Sequence, residues 1–148
     1  MEQPLLFLLK TIPEYASLVQ GVNAGQNAAV TGVGQINRSH MIAGLRRDAG
    51  RPIVVLCQDD MAARRTQEEL SCFLGETAPI LPGRDLTFYD AAVVSRSWEQ
   101  KRLRQLYDLA AGNTPIQIMT WESMSLRTLP PHVLNNASFT LETGKEYA

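Results

Sequence analysis

The sequence has almost no excess charge. Fourteen lysines and arginines stand against fifteen aspartates and glutamates, a formal net charge of −1. That balance excludes a global pull toward nucleic acid or an anionic membrane and confines any such contact to a local patch. Cysteine is scarce. Cys57 and Cys72, the only two, fall in an apolar strand-like run and an amphipathic helix, where each reads as a small hydrophobe. His40 and His132 stand at no metal-ligand spacing from them, so neither a disulfide nor a metal is expected. Long hydrophobic runs are missing too. Leu5-Leu6-Phe7-Leu8-Leu9 follows the acidic Glu2 and is too short to span a bilayer, so the chain is expected to be cytoplasmic and without a membrane partner. Internal repeats and low-complexity tracts are absent. What remains is a chain of 148 residues, the length of one domain that buries about two thirds of its unfolded surface.

The stretch Asn27 to Ile36 has the outline of a phosphate-binding loop without its chemistry. A working G-x-x-x-x-G-K-[ST] loop follows a strand, opens a helix and cradles phosphates on backbone N–H groups, with Lys for charge and Ser/Thr for magnesium. On that frame Ala29 takes the first glycine position and Gly34 the second, with Thr31 and Gly32 between them. Gln35 stands at the lysine position and Ile36 at the magnesium-ligand position. A neutral amide does not neutralise phosphate, and a β-branched hydrocarbon does not ligate a hard cation. This degenerate Walker A loop is expected to be empty and non-catalytic, and no Asp-Glu pair closes an apolar strand to act as its Walker B acid.

Around the loop, strand and helix signals alternate. A short apolar helix over 4–10 precedes one from Pro13 that carries Tyr15, Leu18, Val19 and Val22 and ends at Gly21 and Gly25. A weak strand over Asn27–Val30 leads into the loop, and Met41, Ile42 and Leu45 recur at helical spacing up to Gly50. Ile53–Cys57 is a continuous apolar run and reads as a strand covered on both faces, so that Val55→Asp should unfold the domain. Asp59 or Asp60 caps the next helix, which Gly75 stops. Ala78–Leu81 reads as a third strand closed by Pro82-Gly83, and 83–96 as a long loop without period. Ser97 with Gln100 forms a capping box before a helix ending near Gly112, Ile116–Thr120 is a fourth strand, and Thr120 caps a short helix through Leu126. The expected architecture is an open, mostly parallel α/β sheet with helices on both faces, its ligand end at Val30-Thr31-Gly32. After it, Phe139 and Leu141 alternate with polar residues as an exposed strand would.

Basic groups at Arg46-Arg47, Arg64-Arg65 and Lys101-Arg102 with Arg104 have acidic neighbours on predicted helices and read as solvated faces. Trp98 and Trp121 stand near helix starts and read as core or staple residues. Phe88 and Tyr89, in the irregular loop, are the candidate partner-binding residues.

Several segments together resemble the N-terminal region of the bacterial transcription-repair coupling factors. They are Val30-Thr-Gly-Val-Gly34, Leu81-Pro-Gly-Arg-Asp85 with Phe88-Tyr-Asp90, Arg102-Leu-Arg-Gln-Leu-Tyr107, and Met124 through Pro131. The resemblance implies a RecA-like domain similar to domain 1a of the helicase UvrB, over 1–134, in which Gln35 and Ile36 mark an inactive copy of the Walker A loop. The span Asp90–Trp98 is too short for the DNA-gripping hairpin of UvrB, which favours the coupling factor over a UvrB-type fragment. Residues 135–148 would then begin a UvrA-binding domain. The resemblance implies a non-catalytic scaffold or regulatory module that uses no cofactor itself, the ATP and magnesium being used by distant motor domains of the whole protein. UvrA, RNA polymerase, DNA and neighbouring domains are the partners it implies. The alternative left open by the residues is a nucleotide sensor that binds without hydrolysis, through N–H groups presented by Gly32 and Gly34.

Overall fold

A computed structural model describes residues 4–83, 96–139, 141 and 143–146. Among them, Ile53–Cys57 (β1) and Ile116–Thr120 (β2) pair in parallel, in register from Ile53 opposite Ile116 to Cys57 opposite Thr120. On the other edge of β2 the segment expected as a third strand makes a single parallel bridge, Ile80 opposite Ile118. Ile118 donates to the Pro79 carbonyl at 2.9 Å and accepts from the Leu81 N–H at 2.8 Å. Two features stop the ladder there. Pro79 has no N–H to extend it backwards, and the Thr120 N–H donates instead to Ser123 Oγ at 2.9 Å.

The strand expected over Asn27–Val30 does not form. All four residues are exposed and outside any sheet, because Asn27, Ala28 and Ala29 are poor strand formers with little apolar surface to bury. Among the described residues the sheet is therefore smaller than expected, and they form a mixed α/β structure built on a two-stranded parallel core. The double coverage expected of Ile53–Cys57 is also absent. Ile53, Val55 and Cys57 face the main core, but Val54 is 55% and Leu56 41% exposed.

The helices follow the sequence signals closely. Pro4–Phe7 (α1) runs into a 3₁₀ turn at Leu8–Thr11, and Pro13–Asn23 (α2) begins on its proline, whose missing N–H costs nothing in a first turn. Gln35–Ala49 (α3) and Asp60–Leu74 (α4) end at Gly50 and Gly75. Asp59 caps α4, its carboxylate accepting from the Ala62 N–H at 2.7 Å. Arg96–Ala110 (α5) is already helical at Ser97, where a cap was expected. Trp121–Ser125 (α6) carries a reciprocal capping box between Thr120 and Ser123. Pro131–Asn136 (α7) was not expected; Pro131 is its first residue, where a missing N–H costs nothing. No strand is present among the described residues of the tail, where Phe139 and Leu141 are exposed.

The core lies between α3, α4 and the sheet. One buried cluster joins Ala63 and Leu70 of α4 with Ile116, Ile118, Cys57 and Ala78, and extends to Ala43 of α3 with Leu6, Leu9 and Tyr15. Gly44 sets the close approach of α3 to the N-terminal helices. A Cβ there would overlap Leu9 Cδ1 and stand 2.7 Å from Tyr15 Oη. The Tyr15 hydroxyl donates to Asp48 at 2.9 Å, and burial, then this bond, pushes its pKa upward. Asp48 is held below the usual aspartate range, first by hydrogen bonds from Arg47.

Two readings of α5 and α6 are corrected. Arg102 is buried, not solvated; its guanidinium donates to Pro82 O at 2.7 Å and Ser123 O at 2.9 Å, and burial lowers its pKa. This one side chain ties the segment after the Ile80 bridge to α6. Trp98 is half-buried and donates to Gly83 O at 2.6 Å, whereas Trp121 is 62% exposed and belongs to no core. Cys72 is exposed, unlike the buried Cys57.

Candidate functional site

The loop before α3 has the backbone form of a helix-opening turn. Gly32 takes a left-handed conformation (φ +74°), which a side chain would oppose, and Gly34 is the extended N-cap of α3 with no side-chain cap. Arg38, one turn into α3, donates from Nε to Val33 O at 3.2 Å and fixes the turn from within. Gln35 opens α3, and its Oε1 accepts from Arg65 Nη1 of α4 at 3.3 Å. Ile36 is 58% exposed and offers only hydrocarbon.

The predicted loop residues separate into two groups. Ala29, Thr31 and Gly32 line a groove of about 830 Å³ between the loop and the N-terminal helices, whereas Gly34, Gln35 and Ile36 are not in its wall. The opposite wall is apolar, formed by Leu8, Leu9, Ile12, Tyr15 and Leu18, with Met41 of α3. His40 Nε2 makes a 2.8 Å hydrogen bond with Leu5 O and the ring stacks on Phe73, centroids 4.8 Å apart, which pins α1 and α4 to the groove's base. Among the described residues no lysine or arginine lines the groove, and its one carboxylate is Glu14. A triphosphate would meet one carboxylate, hydrocarbon and neutral polar groups such as Asn27, Thr31 and Asn37 there, without a lysine or arginine among the described residues.

The groove wall of Leu8, Leu9, Ile12 and Leu18 was not assigned to a site from sequence. Its signal was the density of leucines over 5–9, more than a helix of four residues can bury. Phe88 and Tyr89 lie outside the described residues. No helix among the described residues is long and apolar enough to cross a membrane.

Comparison with known proteins adds one relative to this geometry. Over 141 residues, 90% of this chain is 24% identical to a protein of Myxococcus xanthus. That relative is a transcription-repair-coupling factor. The chain spans 12% of the relative's length. No family model matches the chain, and no solved structure matches it.

Proposed function

We propose that this chain is a non-catalytic scaffold or regulatory module of a transcription-repair-coupling factor, a RecA-like nucleotide fold kept after its phosphate chemistry was lost. The observation that carries this reading is the loop itself. Its turn and helix start are in place, yet Gln35 and Ile36 occupy the positions where charge and a magnesium ligand are needed, and among the described residues no lysine or arginine lines the groove beside it. Residues 1–134 form the UvrB-like unit in this reading, and 135–148 lead toward a UvrA-binding domain. The module holds neighbouring domains of the same polypeptide, while UvrA, RNA polymerase and DNA are engaged through the whole protein. ATP and magnesium act in its motor domains.

The experiment expresses this region separately from the rest of its coupling-factor polypeptide and mixes the two. Stable association, with a change in the ATP hydrolysis rate of the remainder, is the expected result. Failure to associate at micromolar concentration contradicts the scaffold role. A second reading, a nucleotide sensor without hydrolysis, has one observation in its favour. The Arg65 guanidinium lies 3.3 Å from Gln35 Oε1, so a cation from α4 stands beside the uncapped start of α3.

A further inference from the structure

The groove before α3 is bordered by a run of backbone with nothing to bond to. Residues 27–32 line it and make no backbone hydrogen bond among the described residues. Pairing stops at Gln26, whose N–H donates to Gly21 O at 2.9 Å, and resumes at Val33, whose carbonyl accepts from Arg38. None of residues 27–32 is proline and all are exposed, so each leaves an N–H and a C=O to solvent. Residues 27–31 are neither helix nor turn, and none takes a positive φ, so their backbone can join a ladder without strain.

Across the groove the wall is hydrocarbon, and part of it is uncovered: Leu8 is 55% and Ile12 44% exposed. With no lysine or arginine among the described lining residues and Glu14 as the one carboxylate, the groove suits an occupant with little charge. A row of main-chain donors and acceptors facing an apolar wall is complementary to another strand. The strand's backbone pairs with the row, and its alternate side chains reach the wall.

The rest of the polypeptide is the best placed to supply that strand. The chain spans 12% of the length of its coupling-factor relative, and the described sheet holds two strands and a single bridge. A tethered segment can reach the groove at an effective concentration up to the millimolar range, which favours it over a free protein.

We propose that an extended segment of the same polypeptide, lying outside this chain, adds as a strand along residues 27–31 and lays apolar side chains against Leu8, Ile12 and Leu18. The proposal rests on the scaffold role given above and names the contact through which a neighbouring domain is held.

Hydrogen exchange of the 27–32 amides, compared in this chain alone and in the whole polypeptide, tests it. In the chain alone they should exchange at the rate of unstructured peptide. In the whole polypeptide, alternate amides within 27–31 should slow by about a hundredfold or more, independently of concentration. Unstructured rates in the whole polypeptide overturn the proposal. Protection already present in the chain alone overturns it too, and a rise with concentration assigns the groove to a second copy. Proline tells a ladder from a merely apolar contact. Ala28→Pro and Ala29→Pro each remove an N–H that the chain leaves unpaired, so neither should lower its melting midpoint. In the mixture of this region with the remainder, at least one should weaken association about tenfold or more, as should Leu8→Ser on the facing wall. Association that persists with both prolines while the amides stay unprotected overturns strand addition and leaves the scaffold role standing; no association at all removes both.

Discussion

The two paired strands invert the ordinary relation between hydrophobicity and burial. Ile53-Val-Val-Leu-Cys57 is wholly apolar, yet Val54 and Leu56 are exposed; Ile116-Gln-Ile-Met-Thr120 contains an amide and a hydroxyl, yet all five residues are buried. Place in the sheet decides this. β2 lies between β1 and the Ile80 bridge and is covered on both faces, so its polar groups need partners. Gln117 Nε2 donates to Pro79 O and Ile118 O, and Thr120 serves the α6 capping box. Among the described residues β1 is the edge strand. Its apolar outer face is the sort of surface that a neighbouring domain covers.

The largest effect that would test this contrast is at Ile118, which is fully buried. Ile118→Ala should destabilise by about 2–5 kcal/mol in denaturant unfolding, whereas Val54→Ala on the partner strand should change stability by about 0.5 kcal/mol or less. Comparable losses at the two sites would show that β1 is covered after all. Gly44→Ala comes next. Overlap with Leu9 and Tyr15 should cost about 1–3 kcal/mol and lower the thermal midpoint, and an unchanged midpoint would show that the N-terminal helices yield easily. Removing the α4 cap with Asp59→Ala should cost about 1 kcal/mol by the same melt.

The smallest effect is pH-dependent. The Asp48 pKa is lowered in the folded state by Arg47, so its contribution is fully present above the ordinary aspartate value of 3.8 and is lost as pH falls through the lower folded value. Asp48→Asn should lower stability at neutral pH and flatten that acid-side loss. A variant whose acid limb is as steep as the parent's would place the titration elsewhere.

Much of the fold was legible in local chemistry. Asp59, Gly75, Gly50, Thr120 and Pro13 mark their helix ends by mechanisms confined to a single turn, so the sequence carries them directly. Sheet order was not legible. Whether Val54 is covered, or whether Pro79 truncates a strand, depends on neighbours tens of residues away. Arg102 failed for the same reason: its acidic surroundings in sequence suggested water, but its partners are carbonyls at Pro82 and Ser123, brought together only by the sheet. At the candidate site, the loop's turn and helix start could be anticipated, while the groove's leucine wall depended on where the N-terminal helices pack.

In the function proposed above, the loop before α3 keeps the form of a phosphate site without its affinity. Thermal unfolding of the chain with and without millimolar Mg-ATP, repeated by titration calorimetry, tests it most directly. The expected result is a cooperative melt with an unmoved midpoint and no binding heat, and Gln35→Lys with Ile36→Thr should add no ATP turnover. A ligand at 100 times its dissociation constant adds about 2.7 kcal/mol, worth several degrees in a domain of this size. A saturable shift of that order, abolished by Arg65→Ala, would contradict the claim and establish the loop as a nucleotide sensor.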